Sequence, residues 1–131
     1  MEKIWEELYV AAKAVQKEEV QISEHMTAGE VSAAIESESG KIYTGVCVDS
    51  ACTLGVCAER NAMFNMITNG EYKIKRVLAI MPDGNTGAPC GACREFMMQL
   101  MGKDAKDVQI MIDYKNNRIM TLKELTPQWW I

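Results

Sequence analysis

Cys57-Ala58-Glu59-Arg60 and Pro89-Cys90-Gly91-Ala92-Cys93-Arg94 are the two stretches on which the reading of this chain turns. The first offers a thiolate and, two residues on, a carboxylate. The second offers two thiolates spaced to grip one ion. Zinc is usually four-coordinate, and catalytic sites supply three protein ligands while leaving the fourth position to water or substrate. Cys57, Cys90 and Cys93 fill three positions, and Glu59 lies close enough in sequence to act at the fourth. Three thiolates with a nearby acid predict a catalytic zinc site.

Working outward, each motif opens a helix. Ala58, Ala62, Met63, Met66 and Ile67 have the spacing of a helix packed on both sides, stopped by Asn69-Gly70. Phe96, Met97, Leu100 and Met101 mark the helix after the second motif. Between them, residues 77–81 are a short continuous apolar run, as in a strand buried on both faces, and residues 108–112 repeat the pattern. Val31, Ala33 and Ile35 alternate, residues 37–40 carry turn chemistry, and residues 42–48 are rich in β-branched side chains, which predicts a hairpin.

Ile4, Leu8, Ala11, Ala12 and Val15 form the stripe of an amphipathic helix covering one side of a sheet. Residues 18–28 break that period and read as a loop, with the only histidine, His25, solvated within it. Residues 49–56 read as irregular, Asn116-Asn117 as a turn into Ile119-Met120, and residues 122–126 as a final short helix. The order α-β-β-α-β-α-β-β predicts an α/β fold, with one mixed sheet between helices on both faces. Ten methionines suit gap-filling in the core.

The chain has 131 residues, 48% of them hydrophobic and 24% charged, which suits one domain over residues 1–131. No apolar run approaches the roughly 20 residues that span a bilayer. No basic segment followed by an apolar one opens the sequence, so a cytoplasmic protein is expected, with no membrane partner. Five cysteines, an odd number, argue against a disulfide scaffold and favour metal or redox chemistry. The net charge is −4; residues 1–38 hold nine acids against three Lys/Arg, and the remainder holds nine against eleven. Neither part is a strong basic patch, so no nucleic-acid polymer is expected as partner, and the substrate is a small molecule.

A helix N-terminus stabilises thiolates, so two adjacent helix starts would aim three of them at one point. Arg60 and Arg94, each directly after its motif, are expected to donate to thiolate sulfur. Zinc makes bound water more acidic, and Glu59 is placed to take its proton and return it to a substrate nitrogen. That chemistry is hydrolytic deamination of an amidine-like carbon such as cytosine C4. Three other readings stand beside it. One is a thioredoxin-like dithiol, which leaves Cys57 and Glu59 unused; another is cysteines that are merely buried. The third is a closed four-cysteine structural zinc completed by Cys47 or Cys52, in a binding module or scaffold.

The two motifs resemble those of the zinc-dependent cytidine deaminase family, C-A-E and P-C-x-x-C, here within Cys57-Ala58-Glu59-Arg60-Asn61-Ala62 and Pro89-Cys90-Gly91-Ala92-Cys93-Arg94-Glu95. The similarity continues through residues 31–35, 40–46 and 125–130. The resemblance implies a three-layer α/β/α fold with a five-stranded mixed sheet, and zinc held by Cys57, Cys90 and Cys93. It makes Glu59 the proton shuttle and implies a homo-oligomer, a tetramer. It places Cys47, Asp49 and Ala58 against substrate, with Trp129 reaching a neighbouring subunit's pocket.

The departures concern substrate. The family's F-x-V-G-A-A aromatic, which packs on the pyrimidine, corresponds to Gly29, and the ribose-holding N-x-E-N corresponds to Cys47-Val48-Asp49-Ser50. Cysteine lacks asparagine's paired donor and acceptor, and aspartate is a methylene shorter than glutamate. Residues 45–57 are a residue shorter than in that pattern. The expected substrate is therefore a cytosine-containing nucleoside or a related aminated heterocycle. The alternative is a blasticidin-S deaminase-like, antibiotic-modifying enzyme, which resembles this chain in lacking the stacking aromatic and the acidic clamp.

Overall fold

In the computed structural model, which describes residues 1–131, the strand Met26–Ser37 (β2) pairs with three others in a six-stranded sheet. Successive side chains of a strand point to opposite faces. Ala33 and Ile35 accordingly join a buried cluster with Ala62, Met63 and Met97, while Ala34 joins Trp5, Leu8 and Ala12. The strand Ile74–Ile80 (β4) splits the same way, Val77 and Ala79 against Leu78 and Ile80. One layer is therefore the helix Lys3–Val15 (α1), and the opposite layer holds the helices Ala58–Thr68 (α2) and Gly91–Met101 (α3). The fold is the expected three-layer α/β/α. Fully burying a side chain such as Leu8 contributes about 1.5–3 kcal/mol, so each interface is held largely by a few such residues.

The sheet is mixed. The strands Val20–Ser23 (β1) and Ile42–Ser50 (β3) run antiparallel to β2, as does β4. Gln109–Asp113 (β5) runs parallel to β4, with α3 in the crossover, and Arg118–Thr121 (β6) returns antiparallel. Ligands of open α/β sheets gather beyond the carboxyl ends of parallel strands. The carboxyl end of β4 leads through residues 81–90 to α3, so the second cysteine motif arrives there.

Two expectations need correction. The sheet has six strands rather than five, because residues 18–28 are not a loop: β1 pairs Val20 with Ala28 and Gln21 with Thr27, and Glu24-His25 is the turn between β1 and β2. Val20-Gln21-Ile22-Ser23 does alternate apolar and polar residues, a signal that the loop expectation passed over, although all four β1 residues are exposed. Residues 102–107 form a 3₁₀ helix, also unexpected, with Ala105 as its one buried residue. The short helix Leu122–Leu125 (α4) is present and starts from a capping box of Thr121 and Glu124. No helix is long and apolar enough to cross a membrane.

Candidate active site

Cys57 and Cys90 are the N-cap residues of α2 and α3, each with an extended backbone and no side-chain cap bond. Their carbonyls accept the first helical bonds, from Asn61 and Arg94, both at 3.0 Å. A cysteine cap leaves its sulfur free, beside the unpaired N–H groups of the first turn. α2 is pressed onto β3 at Gly45, where a Cβ would lie 2.4 Å from the Ala62 nitrogen. Asn61 Nδ2 fixes this contact by donating to the Val46 carbonyl at 3.0 Å. These local contacts bring Cys57 to within 3.4 Å of Cys90, sulfur to sulfur, and all three sulfurs of Cys57, Cys90 and Cys93 lie within 4.8 Å of one another. A tetrahedral zinc with bonds of about 2.3 Å holds its sulfurs about 3.8 Å apart, so the trio fits that ion.

Electrostatics favour the same assignment. Burial, followed by repulsion from Glu59 and the other two thiols, pushes Cys93 well above the usual thiol range. Burial also raises Cys57, partly offset by the Arg60 hydrogen bond. Burial would raise Cys90 too, but the Cys93 backbone N–H and hydrogen bonds from the Cys57 and Cys93 side chains hold it below its usual value. Three crowded sulfurs, of which Cys93 is buried, carry thiolate charge together only beside a cation.

Glu59 sits in the first turn of α2 with 4% of its surface exposed, and burial raises its carboxyl above the ordinary range. It lines a cavity of about 200 Å³ together with Val31, Cys47, Met81, Cys57 and Cys90. A more open hollow of about 380 Å³ shares Cys47 and Cys57 and adds Asp49, Thr53 and Arg60. The arrangement sets one buried acid beside a metal-binding trio, in an apolar chamber with a polar annex.

Residues 4–111 match the family model described as "Cytidine and deoxycytidylate deaminase zinc-binding region". The chain belongs to this family. Its zinc-binding region therefore has three cysteines positioned to hold the ion. Among curated relatives, a cytidine deaminase of Sporosarcina psychrophila is 34% identical over 70 residues, 53% of this chain and 52% of that protein. A probable cytidine deaminase of Dictyostelium discoideum is 39% identical over 69 residues, 50% and 46% of the two chains. The chain thus spans about half the length of these relatives. The cytidine deaminase structure from Mycobacterium leprae superposes with a TM-score of 0.76 at 26% identity, covering 95% of this chain and 98% of that one. The one from Bacillus anthracis gives 0.70 at 26%, covering 97% and 89%.

Within this deaminase family fold, Cys57, Glu59, Cys90, Cys47 and Ala58 come together at the chamber, and Asp49 at the annex. Arg60 Nη2 donates to Cys57 Sγ at 3.6 Å. Arg94 does not make the expected contact with sulfur: its Nε donates to the Pro89 carbonyl at 2.9 Å and its Nη1 to the Leu125 carbonyl at 3.2 Å. Two backbone oxygens outcompete the weaker sulfur acceptor. Trp129 does not line this chain's own chamber; its indole N–H donates to Glu95. The fourth ligand of a closed structural zinc is also missing from the sulfur cluster. Cys47 Sγ accepts from the Val31 N–H at 3.3 Å, and Cys52 is exposed.

Gly29 is not an emptied aromatic position. Its φ is +105°, at the irregularity in the β2–β3 register, and a Cβ there would meet Lys17 Cβ at 2.7 Å. The chamber's apolar walls are Val31 and Met81 instead. Sequence reasoning missed Gln16, whose Nε2 donates to the carbonyls of Glu30 (2.9 Å) and Met81 (3.0 Å), one beside Val31 and one at the other wall. Nothing around Gln16 in the sequence points to this role.

Proposed function

We propose that this chain is a zinc-dependent hydrolytic deaminase of a cytosine-containing nucleoside or related aminated heterocycle, releasing ammonia. Residues 1–131 act as a single cytidine deaminase-like domain, cytoplasmic and assembled as a homotetramer. The observation that carries this reading is the buried Glu59 carboxyl facing the same small cavity as Cys57 and Cys90. Cys57, Cys90 and Cys93 hold the zinc, which when bound supplies the Lewis acidity that activates water near neutral pH. Glu59 takes the proton released as water adds to the amine-bearing carbon, and gives it to the adjacent ring nitrogen. Glu59 then takes the remaining proton from the added hydroxyl and passes it to the amine, which leaves as ammonia while the carbon becomes a carbonyl. Burial suits Glu59 to this exchange, because it raises the carboxyl towards the pKa of the groups it serves.

Val31 and Met81 provide apolar faces for the ring, and Cys47, Asp49 and Ala58 line the space around it. Arg60 supports the Cys57 thiolate. A second reading, an antibiotic-modifying enzyme of the blasticidin-S deaminase type, draws support from the chamber walls and Cys47. The walls include no aromatic to stack on the ring, and Cys47 has its sulfur occupied by the Val31 N–H. An ammonia-release screen over cytosine, cytidine, deoxycytidine, cytosine antibiotics and aminated purines tests both readings, with Glu59→Ala as control. Release from one class, lost in the control, is expected. Release equal in the two proteins overturns the mechanism.

A further inference from the structure

Arg94 and Glu95, the two residues directly after Cys93, hold the same distant segment. Arg94 Nη1 donates to the Leu125 carbonyl at 3.2 Å, while its Nε donates at 2.9 Å to the carbonyl of Pro89, the residue before Cys90. One guanidinium thus spans the base of the Cys90–Cys93 turn and the start of the C-terminal segment. Glu95 makes the second attachment. Its carboxylate accepts from Trp129 Nε1 at 3.1 and 3.3 Å and from Trp130 Nε1 at 3.0 Å. Gln99, one helical turn on, donates to the same carboxylate at 2.7 Å and fixes its rotamer. Leu125 and Trp129 pack on the larger core cluster, which contains Cys93, so the segment is anchored by apolar contact as well.

We infer that residues 125–130 are a strap that holds the Cys90–Cys93 turn in its ligand geometry, with Arg94 and Glu95 as positioning residues; this rests on the zinc reading above. Cys90 caps α3 from an extended backbone, and outside its own turn Pro89, the residue before it, is held by Arg94. The strap acts on this turn through hydrogen bonds to ionised groups, which are stronger than neutral ones and cost side-chain freedom that Gln99 and the core contact have already removed. It also gives the Trp129 indole N–H a partner on its own chain.

The test is zinc retention by the full-length protein. Zinc release to a chromophoric chelator is followed for wild type, Glu95→Ala, Glu95→Gln and the double variant Trp129→Phe/Trp130→Phe. Sulfur-to-metal charge-transfer absorption is compared in the cobalt-loaded forms. Glu95→Ala and the double Phe variant should release zinc about tenfold faster or more, the scale seen when outer contacts of a metal site are lost. Both should also alter the charge-transfer band. Glu95→Gln keeps an oxygen acceptor and should restore most of the retention. The Phe variant keeps both rings in place and carries the test if Glu95→Ala does not fold. Wild-type release rates and spectra in that variant, at one zinc per chain, overturn the strap alone, as does a raised KM with unchanged zinc release. A wild-type protein that binds no zinc overturns the zinc reading and the strap with it.

Discussion

Arg60 Nη2 donates to Cys57 Sγ across 3.6 Å, three residues apart on the first turn of α2. Residues at this spacing share a helix face, so the guanidinium reaches the sulfur that caps the same helix. The contact with Cys57, and then with Cys93, strengthens the arginine's hold on its proton. Three thiolates on a divalent zinc leave a net charge of −1, which weakens the ion's pull on water. A donor to sulfur moves charge back. Arg60→Gln is therefore expected to lower kcat by about tenfold or more. Steady-state kinetics beside metal analysis checks it, and full zinc with full turnover contradicts it.

Gln16 ties two walls of the chamber through the Glu30 and Met81 carbonyls. Gln16→Leu removes both donors while keeping bulk, and leaves two partly buried carbonyls without this partner. The expected cost is about 1–3 kcal/mol in urea unfolding. Because Val31 and Met81 then move relative to each other, KM for the preferred substrate should rise more than kcat falls. A variant with wild-type KM would show that the walls are held without Gln16.

Restoring an aromatic at Gly29 should fail. The backbone there has φ +105°, and Lys17 Cβ occupies the space a side chain would need. Gly29→Ala is expected to cost about 1–3 kcal/mol, and Gly29→Phe at least as much. Neither should tighten pyrimidine binding. A stable Gly29→Phe protein with lower KM for cytidine would refute this account of the pocket.

Acid stability should depend on Glu71. Hydrogen bonds from Ser39 and then Tyr43, the latter at 2.5 Å, lower its carboxyl from 4.5 to about 2. A folded-state pKa below the unfolded one gives stability that is complete above the unfolded value and is lost as pH falls through the folded one. The stability gap between wild type and Glu71→Gln should hence be constant above about pH 5 and shrink between there and about pH 2. Unfolding midpoints in urea across that range measure it; a gap independent of pH excludes Glu71 as its source.

The sequence by itself determined the parts of this protein that depend on neighbours along the chain. The CxxC spacing and the residues after Cys57 identify a zinc site with an adjacent acid. Apolar periodicity marks α1, α2, α3 and the paired faces of β2 and β4, because side-chain direction follows backbone geometry over a few residues. Only the tertiary structure decided which long-range partners win. β1 exists because β2 offers a free edge, although none of its side chains is buried. Arg60 and Arg94 follow their motifs in the same way, yet one meets sulfur and the other is drawn to carbonyls of Pro89 and of Leu125, 31 positions away. Gln16 reaches Met81 across 65 positions. Such choices depend on which acceptors folding brings within about 3 Å, and no local pattern encodes that competition.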